Sequence, residues 1–406
     1  MITQFTVENY RSIRDSVTLD MQATSDRSHK DSLIHSGLNE EILPLAVVYG
    51  PNGGGKSNVL SALGALHQKV MSPIAIALNE NSINFEEWLR FGYKIVPFAF
   101  SQENLDKPTT FQIYFQTNIA EYQYVLSVHA DTVVYEKLQR VKFETRRISE
   151  LFERKVNSVS LKGDFKNLKV SVNLSSTMPL LSYLGLTYRE NSIVNNIIEW
   201  FLKLQFCNYG ILLGEIKIAV AKDGAPKKLV LDMMKEMDID IDDFRIEKSP
   251  KNFEIYTKHK FGDMSKELTL NDESSGTRKL FSLLPLVAQT LTIGGVLIVD
   301  ELDAKLHPVL LRYLISLFRN PKTSKRHAQL IFTSHDLLTM NAEMFRKDEI
   351  WFVAKGEQQN SVLYSLSDFD MEDSKSATYD QEYLMGKYGA DPYLRKIIDW
   401  GYDHHD

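Results

Sequence analysis

The sequence contains almost no cysteine, no long apolar run and no excess of positive charge. Its one cysteine, Cys207, excludes an intrachain disulfide and a metal site built only from cysteines. No apolar run approaches the ~18 residues of a membrane span, and the first residues lack the basic and apolar segments of a signal peptide. The net charge of −6 provides no overall basic surface for nucleic acid. We therefore expect a soluble, cytoplasmic protein that does not enter a membrane.

The rest of the composition is that of an ordinary globular protein. Of the 406 residues, 43% are hydrophobic and 25% are charged, which is typical of chains that bury a large core. A chain of this length accommodates about two to three domains. The sequence shows neither an internal repeat nor a low-complexity segment.

The stretch GPNGGGKS, residues 50–57, fits the pattern G-x-x-x-x-G-K-[ST] of a phosphate-binding P-loop. An apolar run precedes it and a helical pattern follows it to about residue 71, which is the strand–turn–helix context that the motif needs. Glycines let backbone N–H groups close around phosphates, and the helix begins with its positive end facing the anion. Lys56 is predicted to contact the β- and γ-phosphates, and Ser57 to ligate Mg²⁺. The predicted nucleotide-binding residues are Gly50, Pro51, Asn52, Gly53, Gly54, Gly55, Lys56, Ser57 and Asn58.

A second motif, GGVLIVDEL at residues 294–302, is an apolar run that ends in two acidic residues. Such a run is typical of a buried parallel strand, and the acidic pair at its end is the Walker B pattern of P-loop ATPases. Asp300 is predicted to hold Mg²⁺ opposite Ser57, and Glu301 to polarise the attacking water. The alternative is an acidic strand end that merely meets solvent, and the presence of a P-loop argues against it.

Two weaker motifs accompany the first two. In ESSGTRKL, residues 273–280, a Ser-Ser-Gly-Thr turn opens a helix, where its hydroxyl and N–H groups can face phosphate or simply cap the helix. His335 directly follows a buried apolar run and can hydrogen-bond a γ-phosphate or the attacking water. A lone histidine at a strand end is usually structural, but its position one helix and one strand beyond Glu301 favours a catalytic role.

Two kinds of periodicity occur in the rest of the chain. Four segments between about residues 111 and 156 alternate apolar and polar residues, which predicts an antiparallel meander with one buried face. From about 178 to 240 the pattern is helical. The residues predicted to share one face of the longest helix there are Ile193, Ile197, Phe201 and Leu204.

These patterns divide the chain into four predicted parts. The fold class is α/β, with a mixed sheet, an antiparallel β-subdomain and a helical insertion. The parts are residues 1–177, with the P-loop and the β-subdomain; 178–240, the helical insertion; 241–373, with the Ser-Ser-Gly-Thr turn, the Walker B strand and His335; and 374–406, a helical tail.

The order of the motifs resembles the ABC-type ATPase head of SMC and RecF proteins. That resemblance implies binding and hydrolysis of ATP with Mg²⁺. ESSGT, residues 273–277, stands where that superfamily has its signature motif LSGGQ, and we name it the signature turn. The resemblance implies that Ser274 and Gly276 contact ATP bound to a second copy, while Ser275 replaces a glycine. Asp303 matches the acidic position of the D-loop, and Gln102 is a candidate for the Q-loop glutamine.

A narrower resemblance covers nearly the whole chain. FTVENYRSIRDSVTLDM, ESSGTRKL, DELDAKLHP, RKDEIWFVAK and EYLMGKYGADP are similar to segments of AbiL/RloA-like ATPases of bacterial phage-defence and abortive-infection loci, which are related to the ATPase half of OLD proteins. The resemblance implies an ATPase that forms a homodimer or higher homo-oligomer through ATP. It also implies control of a separately encoded effector, often a nuclease or TOPRIM-like protein.

Other functions remain open at this level. One is a DNA-repair ATPase of the RecF or SMC type that binds nucleic acid directly. Residues 136–169 contain ten Lys/Arg against five Asp/Glu, a local surplus of positive charge that would suit this function. A solvated strand edge explains the surplus equally well. A transporter's nucleotide-binding subunit is disfavoured by the altered signature turn.

The acidic run of Asp368, Asp370 and Glu372 could be mistaken for a nuclease site, but too little chain follows it for the supporting fold. We expect a solvated loop there.

Overall fold

The computed structural model describes residues 1–78, 92–156, 158–207, 225–248, 253–369 and 379–390. In these residues the fold is mixed α/β, as predicted, with a mixed sheet beside a separate antiparallel sheet. Helices cover the mixed sheet, so that it is buried on both faces.

The mixed sheet carries the P-loop strand near its centre. Its strands, in spatial order, are β11 (Leu204–Cys207), β15 (Val296–Val299), β16 (Gln329–Thr333), β5 (Leu45–Tyr49), β17 (Ile350–Lys355) and β18 (Ser361–Ser365). Neighbours from β11 to β17 pair in parallel, and β18 pairs antiparallel with β17. Along β5, Ala46 and Val48 enter one core while Leu45 and Val47 enter the other. Burial on both faces is the reason that these strands read as unbroken apolar runs.

The antiparallel sheet confirms the predicted meander. Its strands, in spatial order, are β10 (Ser158–Leu161), β9 (Ile148–Lys155), β8 (Thr132–Lys142), β7 (Ala120–His129), β6 (Thr109–Gln116), β1 (Ile2–Glu8) and β2 (Val17–Asp20). Its inner face shares one hydrophobic core with three helices and with the mixed sheet. Two smaller antiparallel sheets consist of β3 (Ile34–His35) with β4 (Glu41–Ile42), and of β12 (Asp243–Lys248), β13 (Phe253–Phe261) and β14 (Met264–Thr269).

The helices are divided between the two faces of the mixed sheet. The core shared with the antiparallel sheet contains α1 (Lys56–Leu78), α3 (Leu180–Thr187) and α4 (Ser192–Leu202). The opposite core contains α5 (Ala225–Glu236), α6 (Ser275–Ile293), α7 (Pro308–Arg319) and α8 (Tyr379–Leu384). A short helix, α2 (Gln102–Leu105), precedes β6.

Two sequence predictions about these helices are wrong in detail. Leu204 does not belong to the helix predicted over Ile193–Phe201; α4 ends at Leu202 and Leu204 opens β11, which pairs in parallel with β15. The apolar pattern continues across this boundary because both elements face buried surroundings. The P-loop helix does not end near residue 71 but continues through Pro73 to Leu78.

Within the described residues, α1 is long and apolar enough to cross a membrane by length and composition alone. However, 61% of its most apolar window is buried inside the protein. A core helix of a soluble protein passes the same test, so this is weak evidence for a membrane span.

Candidate functional site

The predicted P-loop joins β5 to α1 through a turn that requires glycine. Gly50, Gly53 and Gly55 have φ angles of 148°, 71° and 110°, a region that residues with a Cβ rarely adopt. A Cβ on Gly50 would lie 2.3 Å from the carbonyl oxygen of Val353, and a Cβ on Gly55 would lie 2.1 Å from the hydroxyl oxygen of Ser361. The shape of this loop therefore depends on glycine both for its backbone angles and for its close packing.

A hydrogen-bonded brace lies beneath the loop. The Ser361 hydroxyl donates to the carbonyl oxygen of Gly54 (2.6 Å) and lies 2.7 Å from the Ser12 hydroxyl, to which the Asn58 amide also donates (2.7 Å). Asn58 was predicted as a nucleotide-binding residue. Ser12 and Ser361 were missed, because only the pairing of distant strands brings them here.

Lys56 directs its ammonium back into the loop. It donates to the carbonyl oxygens of Gly50 (2.8 Å) and Pro51 (3.2 Å). Burial lowers the pKa of Lys56, and the carboxylates of Asp300 and Glu301 oppose that shift. The ammonium therefore lies against the carbonyls of the loop itself, within the electrostatic reach of both acidic residues; its predicted contact with phosphate stays a prediction.

Asp300 and Glu301 follow β15 and share one hydroxyl from the neighbouring strand. Thr333, the last residue of β16, donates its hydroxyl to Asp300 Oδ1 (2.6 Å) and accepts from the backbone N–H of Glu301 (2.7 Å). Its carbonyl oxygen accepts from the N–H of Leu302 (3.1 Å). The acidic pair is thus fixed to the strand that leads to His335, and Thr333 is a residue that the sequence analysis did not single out.

His335 is exposed and follows the carboxyl end of β16. Its backbone N–H donates to Asp303 Oδ2 (3.1 Å), so the predicted D-loop acid holds the predicted histidine. Because β15, β16 and β5 are parallel neighbours, the acidic pair, His335 and the P-loop all emerge at one edge of the sheet. Ligands of open α/β sheets bind at this edge.

Two cavities adjoin parts of the P-loop motif. One, of about 440 Å³, is lined by Ser57, Asp300 and Glu301. The other, of about 840 Å³, is lined by Gly50, Asn52 and His335 among others. Of the eight motif residues, Gly50, Pro51 and Asn52 line the larger cavity and Ser57 lines the smaller one. The predicted catalytic residues are divided in the same way, with His335 on the larger cavity and Glu301 on the smaller.

The smaller cavity also contains side chains that sequence reasoning missed. These are Arg11, Tyr93 and Cys207. Arg11 has φ 51° and donates its N–H to the carbonyl oxygen of Val96 (2.7 Å), while burial raises the pKa of Tyr93 to about 12. The polar turn after β1 was the available signal for Arg11; nothing local pointed to Tyr93 or Cys207.

The signature turn caps its own helix and lines neither cavity. The Ser274 hydroxyl accepts from the N–H of Thr277 (3.1 Å), which confirms the N-cap interpretation. A Cβ on Gly276 would lie 3.2 Å from the carbonyl oxygen of Lys305, so this turn packs against the turn that follows Glu301. Neither Ser274 nor Gly276 lines the two cavities. Their contact with ATP on a second copy stays a prediction.

The remaining candidates lie elsewhere. Gln102, the candidate Q-loop residue, is the exposed first residue of α2 and lines neither cavity. Asp368 is exposed and accepts from the N–H of Ser365 (2.9 Å); Asp370 and Glu372 lie outside the described residues. In the part of the chain that the structure describes, no group of three or more His, Cys, Asp and Glu side chains could hold a metal ion.

The basic surplus of residues 136–169 is partly neutralised within its own sheet. Five of the cations face carboxylates from the same segment. The pairs are Lys137 and Lys162 with Glu150, Arg140 with Asp164, Lys155 with Glu153, and Arg154 with Glu136. This pairing weakens the indication of a nucleic-acid surface, because paired cations are less available to phosphates.

Comparison with known families identifies one matching profile. The family described as "AAA domain, putative AbiEii toxin, Type IV TA system" matches residues 45–173 and 219–341, together more than half of the chain. No curated protein matches the sequence.

Solved structures of SMC heads are distantly similar. The SMC head domain from Thermotoga maritima is 13% identical with a TM-score of 0.40, covering 90% of this chain and 98% of that one. The Smc head domain with a coiled coil and joint from Pyrococcus yayanosii is 11% identical with a TM-score of 0.41, covering 95% and 99%. At these scores the fold assignment depends on this chain's own sheet order and motif placement.

Proposed function

This chain belongs to the AAA-domain family of the AbiEii, type IV TA description, and we propose that it is an ABC-type ATPase head that binds and hydrolyses ATP with Mg²⁺. The observation that carries the proposal is the meeting of three motifs at one sheet edge. The P-loop follows β5, Asp300 and Glu301 follow β15, and His335 follows β16. Phosphoryl transfer depends mainly on positioning and electrostatic stabilisation, which this arrangement supplies.

The residues at this edge fit ATP and Mg²⁺. Gly50 and Gly55 let the loop pack closely against Val353 and Ser361, where any Cβ would collide, and such a compact glycine-rich backbone is what a loop enclosing phosphates requires. Ser57 and Asp300 line the same cavity, and a hydroxyl with a carboxylate is a donor pair that Mg²⁺ prefers. When bound, Mg²⁺ neutralises charge on the β- and γ-phosphate oxygens.

The chain's own side chains then have separate roles. Lys56 would exchange the carbonyl oxygens of Gly50 and Pro51 for phosphate oxygens. Glu301 would orient the attacking water and accept its proton. His335 would hydrogen-bond the γ-phosphate.

Assembly is the second part of the proposal. Ser274 and Gly276 would contact ATP held by a second copy, so that ATP joins a homodimer or a higher homo-oligomer. Neither residue lines the two cavities described in its own chain, which supports a contact in trans. Hydrolysis would release the contact, which makes assembly a two-state element controlled by one phosphate.

The biological setting is proposed from family resemblance. We infer a cytoplasmic ATPase of a bacterial antiphage or abortive-infection system, of the AbiL/RloA-like type, that controls a separately encoded nuclease or TOPRIM-like effector. The division into a head (residues 1–177 and 241–373), an insertion (178–240) and a tail (374–406) belongs to the same proposal, with the insertion supplying β11 to the sheet of the head. Co-purification of the product of an adjacent gene, with and without ATP, tests the effector.

Nucleotide measurements on matched variants test the ATPase. Lys56→Ala should lose ATP binding, because the main cation at the β- and γ-phosphates is removed. Glu301→Gln should bind ATP but not turn it over, since an amide cannot accept the water's proton. Lys69→Ala, on the same helix but paired with Asp131, is the control and should retain both. Native ATP affinity in Lys56→Ala would refute the P-loop assignment.

A further inference from the structure

The turn that carries Glu301 has an unfavourable backbone. Glu301 and Lys305, at its two ends, have φ angles of 52° and 62° although neither is glycine. Left-handed residues with a Cβ persist only where the surrounding structure holds them. We name residues 301–305 the acidic turn.

One lysine of α6, Lys279, holds the acidic turn. The Lys279 ammonium donates to the carbonyl oxygens of Glu301 (2.9 Å), Leu302 (2.8 Å) and Ala304 (2.5 Å). An ammonium has three N–H donors, and each of these carbonyls accepts from it. The turn therefore directs its carbonyls inward toward a single side chain.

The contact is buried, and it belongs to a wider packing of the two segments. Lys279 is 7% exposed, and Gly276, in the first turn of the same helix, packs against the carbonyl of Lys305. Burial lowers the pKa of Lys279 to about 8, while the carboxylates of Asp303 and Glu301 oppose that shift. A buried cation that is costly to desolvate is held here by carbonyl oxygens and nearby carboxylates.

The acidic turn also fixes both predicted catalytic residues, Glu301 and His335. Asp303 within it accepts from the backbone N–H of His335 (3.1 Å), and Leu302 donates its N–H to the carbonyl of Thr333 (3.1 Å). We propose that Lys279 is a positioning residue: its three carbonyl contacts hold Glu301, and through Asp303 also His335, in the arrangement that hydrolysis needs. This inference rests on the proposed ATPase function for its catalytic consequence, but not for the contact itself.

Lys279 also connects two sites. It lies little more than one helical turn after Ser274, the residue proposed to contact ATP on a second copy. A displacement of the start of α6 would therefore reach Glu301 of the same chain through the Lys279 contacts. Lys279 thus links the proposed contact of Ser274 with ATP on a second copy to the position of Glu301 in its own chain.

The test compares Lys279→Met, Lys279→Gln and a matched control. Methionine keeps most of the length of the side chain but donates no hydrogen bond, and glutamine restores part of the donor capacity. Lys227→Met is the control, because Lys227 is another 7% exposed lysine, paired with Asp243 away from the site. We expect kcat to fall by at least ~10-fold in Lys279→Met and by less in Lys279→Gln, with ATP affinity within about threefold of the wild type in both.

Amide hydrogen exchange measures the contact without ATP turnover. The N–H groups of Leu302, Ala304 and Leu306 are hydrogen-bonded around the acidic turn. Their exchange in the ATP-free protein should accelerate in Lys279→Met and remain native in Lys227→Met. If Lys279→Met does not fold, as judged by its thermal transition, the same comparisons are made on Lys279→Gln.

The outcomes separate this inference from the proposed function. Native kcat and native exchange in a folded Lys279 variant would overturn the positioning role. Faster exchange with native kcat would also overturn it, because the contact would then be structural only. If the wild type itself does not hydrolyse ATP, the proposed function fails, and faster exchange would still establish Lys279 as the holder of the turn.

Discussion

Replacing Thr333 with valine removes one hydroxyl that both acidic residues use. Valine has nearly the same shape, so the packing of the buried β16 changes little. The hydroxyl donates to Asp300 Oδ1 at 2.6 Å and accepts from the Glu301 N–H at 2.7 Å. The substitution therefore removes two contacts without opening a cavity.

The size of the effect follows from these contacts. A hydrogen bond to a charged carboxylate contributes about 1.5 to 3 kcal/mol, and the part-buried N–H of Glu301, left without its acceptor, costs about 1 kcal/mol. Together they amount to roughly 3 kcal/mol or more, equivalent to about 100-fold in rate if all of it is lost in the transition state. Since the ground state shares part of this loss, we expect kcat for Thr333→Val to fall by about 10- to 100-fold.

Steady-state ATP hydrolysis and direct nucleotide binding measure the prediction. Thr333→Ser keeps the hydroxyl and is the matched control; it should remain within about threefold of wild-type kcat. Nucleotide affinity should change little in Thr333→Val, because the hydroxyl does not contact Lys56 or the glycines of the loop. The reasoning fails if Thr333→Val turns over at the wild-type rate while Glu301→Gln is inactive.

Two further predictions concern assembly and pH. Ser274→Arg should leave ATP binding by the single chain intact but block ATP-dependent dimerisation, because it adds bulk and charge at the contact in trans. Light scattering with ATP on the Glu301→Gln background measures the mass of the dimer. An unchanged dimer mass would contradict an ATP site shared between two copies. Burial lowers the pKa of His67, whose ring lies against Phe201 and Phe206, to about 4. Its contribution to stability is thus present above the unfolded pKa of about 6.5 and is lost as the pH falls toward 4. Between about pH 7 and about pH 5 the free energy of unfolding should fall by about 2 kcal/mol more in the wild type than in His67→Gln; equal slopes in denaturant titrations would show that His67 does not titrate in this way.

The local chemistry of the sequence was sufficient for the P-loop and for the elements that flank it. The glycine positions, the lysine that follows and the apolar strand before them lie within a few residues of one another, so their geometry does not depend on distant contacts. The same holds for the Walker B strand, whose unbroken apolar run reports burial on both faces. It also holds for the N-cap Ser274, whose side chain accepts from the N–H group of Thr277, three residues ahead.

Periodicity alone misassigned Leu204, for a physical reason. A short, fully buried strand and the end of a buried helix both read as apolar sequence. Only pairing with β15, which lies far along the chain, decides that residues 204–207 extend the mixed sheet. The segment predicted as a helical insertion is consequently joined to the sheet that carries the site.

Contacts between distant residues decided the details of the site. Ser12 and Ser361 brace the P-loop, Thr333 bridges the acidic pair, and Lys279 holds the turn that carries Glu301. None of these residues belongs to a motif that specifies its role, because a hydroxyl or an ammonium acquires a partner only when the order of strands brings one within reach. The sequence by itself determined which chemical groups are candidates for a nucleotide site, since those groups lie on contiguous motifs. The tertiary structure decided how they are held, since the residues that hold them come from other strands and helices.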